Sequence, residues 1–247
     1  MKLRVFEGFA GYGGASFALR KLKERYPQFD FEVVGYSEID KFASALYDAN
    51  HLDSHGNPIK NWGDITLIDP QELPDFDIFT GGFPCQPFSS AGMMKGVDDP
   101  YGRGTLFQHI IRICEFKKPK YILMENVKGL KAKKFDETRA LMQELLRKIG
   151  YASNPKDKEE LPLISSVVNS KDYGIAQNRE RLWMFAQLGG LPKDFCITPP
   201  KIESDKKMAD FLDPEGYVPE AMYLSNDQIA HLKVKHSIRS FFVVTPV

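Results

Sequence analysis

The sequence predicts an α/β protein: a doubly wound, mainly parallel sheet with a late antiparallel strand, followed by an incomplete C-terminal segment. Three observations carry this. Short apolar runs alternate with amphipathic stretches up to about residue 190. A glycine-rich turn joins the first apolar run to the first amphipathic stretch. The last two apolar runs flank a polar link and read as a strand pair. Strands separated by helices imply right-handed crossovers and parallel pairing.

The elements follow in order. Residues 3–7 read as a strand, and the turn after them leads into a helix over 14–26. Residues 31–36 form a second strand, with a helix over 40–50 behind it. Short buried strands are expected at 76–80 and 121–125. Residues 105–116 and 137–149 are helical, the latter with Leu141, Leu145, Leu146 and Ile149 on one stripe. Residues 165–169 and 182–186 make the late pair. Past Gly189-Gly190, Pro192, Pro199, Pro200, Pro214 and Pro219 break the periodicity. One helix start is expected at Ser225, with Gln228 completing a capping box. The chain therefore divides into a catalytic domain over 1–190 and a linker, or the start of an incomplete recognition domain, over 191–247.

The chain has 247 residues, 33 basic and 33 acidic, for a formal net charge of zero. That excludes a polycation but not an enzyme with a local basic face. One run is locally basic: Lys117, Lys118, Lys120, Lys128, Lys131, Lys133 and Lys134, against Glu125. It reads equally as a phosphate-contacting surface or a solvated face. Three cysteines without CxxC spacing argue against a disulfide framework or zinc ribbon and suit a reducing cytoplasm. No metal site is expected. No apolar run reaches membrane-span length, and the N-terminus shows no signal-peptide core.

Four short motifs carry chemistry. Glu7-Gly8-Phe9-Ala10-Gly11-Tyr12-Gly13-Gly14 lies between a strand and a helix, where glycines let the backbone approach a ligand. Its spacing is not GxGxxG, so the dinucleotide fingerprint is absent. Glu38, ending the second strand, is placed to accept from ribose hydroxyls, and Asp64-Ile65, after a third strand, to touch an adenine edge. A glycine turn unlike a phosphate loop, with a ribose-binding acid, favours a cofactor without pyrophosphate: S-adenosylmethionine.

The second motif, Gly81-Gly82-Phe83-Pro84-Cys85-Gln86-Pro87-Phe88-Ser89, follows a buried strand. Its prolines stiffen the loop around Cys85, whereas Cys114 and Cys196 read as small buried hydrophobes. Met124-Glu125-Asn126-Val127 ends another strand. Gln177-Asn178-Arg179-Glu180-Arg181 enters a late strand with two arginines on one side.

In this order and spacing, the glycine turn, Cys85 after Gly-Gly-Phe-Pro, Glu125-Asn126-Val127 and Gln177-x-Arg179-x-Arg181 resemble the DNA (cytosine-5)-methyltransferase family. The likeness runs from residue 3 to residue 185. It takes in Lys95-Gly96 and Gly102-Arg103-Gly104-Thr105-Leu106-Phe107. It implies a fold of the S-adenosylmethionine-dependent methyltransferase type and methyl transfer to carbon 5 of a cytosine flipped out of double-stranded DNA. Cys85 is then the nucleophile at ring carbon 6. Glu125, held partly protonated by desolvation, assists at ring nitrogen 3. Asn126 orients the exocyclic amine side of the base, and Arg181 with Arg179 holds the base oxygen. By the same resemblance Phe9, Ala10, Gly11, Tyr12, Gly13 and Gly14 surround the methionine and adenosine. Glu38 takes the ribose and Ile39 packs on the adenine. Asp64 and Ile65 meet the adenine edge, and Pro84 and Leu106 line the same cleft. Glu7 stands where many members carry Asp. The loop over 88–105 is expected to close over the base.

The resemblance also implies a target-recognition domain and a closing Gly-Asn-Ser/Ala-Val segment, and the sequence carries neither. A split enzyme whose second subunit supplies them, a truncated gene, a non-catalytic cofactor- or DNA-binding remnant and a tRNA methyltransferase all stay open.

Overall fold

A computed structural model describes residues 2–84, 106–212, 224–225 and 227–228. Cys85, the loop over 88–105 and the apolar terminus at 241–247 lie outside the described residues.

Among the described residues, six strands and four α-helices follow in the order β1 (Lys2–Gly8), α1 (Gly14–Arg25), β2 (Asp30–Ser37), α2 (Lys41–Asn50), β3 (Ile78–Gly82), α3 (Leu106–Lys117), β4 (Tyr121–Val127), α4 (Asp136–Lys148), β5 (Leu163–Asn169) and β6 (Glu180–Gln187). They form one sheet in the order β2-β1-β3-β4-β6-β5. β2, β1, β3 and β4 are parallel. β6 runs antiparallel to both β4 and β5. This is the doubly wound, mainly parallel sheet that the sequence predicts, with the antiparallel strand where the sequence puts it.

The chain leaves β1 toward β2, then returns past β1 to β3. Right-handed crossovers therefore put α1 and α3 on opposite faces. The carboxyl ends of β1 and β3 part at this reversal, which is where such sheets form their binding crevice. Central strands covered on both faces must be apolar throughout. Val5, Phe6, Phe79, Ile122 and Met124 are accordingly fully buried. The main core joins Phe6, Phe79, Ile122 and Met124 to Ile110, Ile113 and Cys114 of α3 and Met142 and Leu146 of α4.

Two expectations shift. The strand expected at 76–80 runs over Ile78–Gly82 instead. Asp77 Oδ2 accepts the Arg4 N–H at 2.8 Å, so the regular β1–β3 ladder starts only at Val5↔Ile78. Phe76 is apolar because it stacks on Phe6 at 5.3 Å in the core, not because it is in the strand. The third strand placed before Asp64 reduces to a single parallel bridge, Tyr36↔Asn61, on the outer edge of β2. Asn61 Oδ1 there accepts from Glu38 N and Gly63 N, turning the chain away.

Beyond residue 190 the described chain lies back on β5 and β6. Phe195 stacks on Phe185 at 5.0 Å, Thr198 Oγ1 donates to Ser166 Oγ at 2.6 Å, and Lys201 pairs with Asp172 at 3.0 Å. Ser225 and Gln228 make the reciprocal bonds of the expected capping box. Cys114 is buried as expected, but Cys196 is exposed on the proline-broken segment. Among the described residues no helix is long and apolar enough to cross a membrane.

Candidate active site

The glycine turn at the end of β1 is held from three sides. Ala10 N donates to Ser37 O at 3.1 Å, and Gly13 N to Ala10 O at 2.9 Å. Gly11 N donates to Glu38 Oε2 at 2.8 Å, while Glu38 Oε1 accepts from Asp40 N at 2.8 Å. Glu38 thus joins the turn to the start of α2 and keeps its remaining lone pairs for a ligand. Asp40 caps α2 by accepting from Phe42 N and Ala43 N. Phe9 has φ +52°, a left-handed conformation costing about 1–3 kcal/mol in a non-glycine residue. Its ring, packed against the main core, holds it there.

The turn has the openness a ligand needs. A Cβ at Gly11 or Gly14 would meet nothing within 4 Å, and α1 has no side-chain cap on its N-terminus. Tyr12 and Ile39 are exposed, Ile39 by 76 %. Ile65 differs from expectation: it is 3 % exposed and packs beneath Gly8. Asp64 Oδ1 accepts from Thr66 N at 2.9 Å. Pro84 is exposed, whereas Leu106 is partly buried against the core. Their neighbours Phe83 and Phe107 meet at 5.8 Å, so the exit of β3 and the first turn of α3 touch.

Glu7 turns away from the open side of the turn. Its carboxylate is 2 % exposed and accepts from the hydroxyls of Ser16 on α1 and Tyr47 on α2, the latter at 3.0 Å. Burial pushes its pKa above the usual carboxylate value, against the pull of those hydroxyls and the Ser16 N–H.

The second half of the site lies at the ends of β3, β4 and β6. Gly81 pairs with Gly8, and a Cβ on Gly81 would sit 2.4 Å from Gly8 O. Gly82 pairs with Glu125, and its Cβ would come within 3.0 Å of Glu125 Oε2. The glycine pair before Phe83-Pro84 therefore makes room for a neighbouring backbone and for one carboxylate.

Glu125 is about three-quarters buried and ion-paired. Its side chain is 26 % exposed, and Arg181 Nε lies 2.7 Å from Oε1. Asn126, expected to face the base, is 1 % exposed, with both polar atoms engaged by backbone. Nδ2 donates to Phe83 O at 2.9 Å and Oδ1 accepts from Val127 N at 2.8 Å. Arg179 precedes β6 and is exposed. It shares with Arg181 a polar groove of about 420 Å³ lined by residues 127–129 and 177–181. Across that groove Lys128 pairs with Glu180 at 2.8 Å.

Two contributors carry no motif. Arg112 on α3 donates to Ile68 O at 2.6 Å and Ile65 O at 3.2 Å, fixing the segment that holds Asp64. His51 at the end of α2 reaches the Tyr12 carbonyl at 2.9 Å. A helical arginine and a lone histidine give no spacing signal. Among the described residues no group of three or more His, Cys, Asp or Glu could hold a metal.

The chain is similar to known proteins in sequence and in fold. The family model for C-5 cytosine-specific DNA methylase matches residues 3–240. Type II methyltransferase M.HaeII of Haemophilus aegyptius is 35 % identical over 224 residues, covering 91 % of this chain and 62 % of that one. Orphan methyltransferase M.Rho11sI of Bacillus phage rho11s is 40 % identical over 183 residues, covering 74 % of this chain and 32 % of that one. The chain thus spans between about a third and three fifths of the length of these relatives. In fold it resembles the S. pombe Dnmt2 methyltransferase, with a TM-score of 0.66 at 24 % identity over 96 % of this chain and 66 % of that one.

Proposed function

Because the chain belongs to the C-5 cytosine-specific DNA methylase family, we propose that it is the catalytic part of an enzyme that methylates carbon 5 of cytosine in duplex DNA. S-adenosylmethionine is the proposed donor; when bound, it supplies an electrophilic methyl group on a sulfonium. The observation that carries the reading is the Glu125–Arg181 pair at the carboxyl edge of the sheet, beside the two glycines that lead to Pro84-Cys85.

In this reading the open turn at Gly11 and Gly14 admits the cofactor, Glu38 takes the ribose, Ile39 covers the adenine, and Asp64 meets its edge. Phe9, Ala10, Tyr12, Gly13, Ile65, Pro84 and Leu106 shape that cleft. The Cys85 thiolate adds to carbon 6 of the flipped cytosine, while Glu125 delivers a proton to nitrogen 3 once the base covers it. Carbon 5, made enamine-like, is methylated. A solvent water takes the carbon-5 proton, the carbon 6–sulfur electrons leave with the thiolate, and nitrogen 3 returns its proton to Glu125, which restores the ring. Arg181 and Arg179 hold the base oxygen. Asn126 acts through the Phe83 carbonyl, fixing the backbone two residues before Cys85.

Residues 1–190 form the catalytic domain in this proposal, and 191–247 begin the connection to a recognition segment, carried by a second polypeptide or a longer chain. The relatives' names, a type II and an orphan methyltransferase, leave restriction–modification and phage DNA modification as settings.

The test is transfer of labelled methyl from S-adenosylmethionine to duplex DNA and, separately, to tRNA, by wild type and Cys85→Ser. DNA labelling that the serine variant abolishes supports the proposal. Equal labelling by that variant rejects the covalent step. Labelling of tRNA alone reassigns the substrate, and no labelling with or without added recognition segment favours a remnant.

A further inference from the structure

His51 is bonded on both ring nitrogens, and the two bonds fix its state. Its backbone N–H caps α2 by donating to Tyr47 O at 2.9 Å, and the residue is 3 % exposed. Nε2 lies 2.9 Å from the Tyr12 carbonyl and Nδ1 3.2 Å from Nη2 of Arg20. A guanidinium only donates, so Nδ1 must present its lone pair. A carbonyl only accepts, so Nε2 must carry the hydrogen. The imidazole is therefore neutral, in the Nε2–H form. A second proton would aim an N–H at a cation.

The neighbourhood is built around that ring. A Cβ on Gly13 would stand 2.2 Å from Nε2, so the imidazole fills the space a side chain there would need. Gly13 also has φ +89°. Phe17 packs edge-on to the ring at 4.6 Å and Tyr47 tilts against it at 4.5 Å. Arg20 is held in turn: it lies over Phe17 at 4.6 Å and donates to Asn50 O at 3.0 Å.

We propose that His51 is a positioning residue for the glycine turn. Its neutral imidazole holds the Tyr12 carbonyl so that Gly11 to Gly14 keep the conformation that admits the cofactor, and Arg20 enforces the tautomer that can do so. This rests on reading the turn as the S-adenosylmethionine site.

The charged and titratable groups facing the ring are few. α1 contributes Arg20. α2 contributes Tyr47, whose hydroxyl is turned to Glu7 of β1 and Ser16. The turn contributes only the Tyr12 carbonyl. No carboxylate among the described residues bonds the ring. Burial lowers the His51 pKa from its ordinary 6.5; the Tyr12 carbonyl opposes this and Arg20 adds to it. The latch is thus closed at neutral pH and opens on acidification below that ordinary value.

The test uses the whole 247-residue chain, with S-adenosylhomocysteine as the calorimetric probe between pH 5.5 and 8.5. ¹⁵N NMR of the imidazole is recorded without ligand. The expected spectrum is a neutral Nε2–H ring at pH 7.5. Wild-type affinity should hold level above about pH 7 and fall below the ordinary histidine range. His51→Phe should bind at least about tenfold more weakly at pH 7.5 and lose that pH step. His51→Gln, whose amide can still donate to Tyr12 O, should recover most of the affinity and also lack the step. An Nδ1–H tautomer, or a phenylalanine variant that binds like wild type, overturns the proposal. No binding by wild type at any pH overturns the cofactor reading instead, and the NMR result still judges the latch.

Discussion

Arg181 Nε meets Glu125 Oε1 at 2.7 Å across the antiparallel seam between β4 and β6. The residues are diagonal, not directly opposed: Glu125 pairs with Trp183 and Arg181 with Val127. Long side chains can span such a diagonal. Both side chains are about a quarter exposed, at 25 % and 26 %. Glu125→Gln keeps an oxygen that can accept from Arg181 Nε, so it removes the charge without leaving the guanidinium unpartnered. Glu125→Gln should therefore leave the urea midpoint nearly unchanged while lowering kcat by about 10²–10⁴, the usual worth of a positioned acid. A large loss of stability with activity retained would assign the pair to the fold instead of the chemistry.

Asn126 should behave in the opposite way. Buried and bonded to Phe83 O and Val127 N, it satisfies one backbone group in the interior and one at exposed Val127. Asn126→Ala leaves both unpaired, at a cost of about 1–3 kcal/mol for the interior one. Denaturant titration should register a loss in that range. Because Phe83 leads directly to Pro84-Cys85, kcat should fall as well, with the affinity for S-adenosylhomocysteine preserved.

The contrast between these neighbours marks what the sequence can tell. The four motifs taken together, through their resemblance to the family, single out Glu125, Asn126 and Arg181, and alternation of runs and turns predicts the doubly wound sheet. What was not legible depended on register. Nothing in Glu125-Asn126 alone says that one side chain faces an arginine from a strand more than fifty positions later while the next faces inward to Phe83. Apolar character also misled where burial and strand coincide only partly. Phe76 is core without being in β3, and Ile65 lies under the turn instead of facing an adenine. Arg112 and His51 act by reaching backbone carbonyls of distant segments, and carbonyls carry no sequence signature.

Glu7 sets a pH dependence whose sign follows from its burial. Its folded pKa lies above the ordinary 4.5, so the native state holds this proton to higher pH than the unfolded chain. The stability it contributes is full below about 4.5 and is lost as pH rises through the folded value. Glu7→Gln keeps an oxygen to accept from Ser16 and Tyr47 and removes the ionisation. Urea midpoints at pH 5, 6, 7 and 8 should show the variant gaining on wild type as pH rises, then a constant difference. Parallel curves across that range would show that burial does not govern this carboxyl.

The lysine-rich run offers a prediction that separates two uses of one composition. β4, seven residues long, divides it, placing its halves about 20 Å apart along the strand. At the amino end, Lys117 pairs with Asp75 at 3.0 Å and Lys118 donates to Ile149 O at 2.8 Å, so both are tied into the fold far from Glu125. At the carboxyl end, Lys128 borders the polar groove, and Lys131, Lys133 and Lys134 follow on two exposed 3-10 turns. Among the described residues these last three have no acidic partner within salt-bridge distance, so a phosphate would not have to displace one. Each lysine that neutralises a phosphate steepens the dependence of log K on log salt by about 0.9. Replacing Lys131, Lys133 and Lys134 together by alanine should flatten that slope by about 1–3 and weaken duplex binding alike for every sequence tested. Replacing Lys120, which precedes β4 at the amino end, should leave the slope unchanged. Fluorescence anisotropy with a labelled duplex between 50 and about 200 mM salt resolves differences of this size. Equal slopes for the triple variant and wild type would return the whole run to a solvated face.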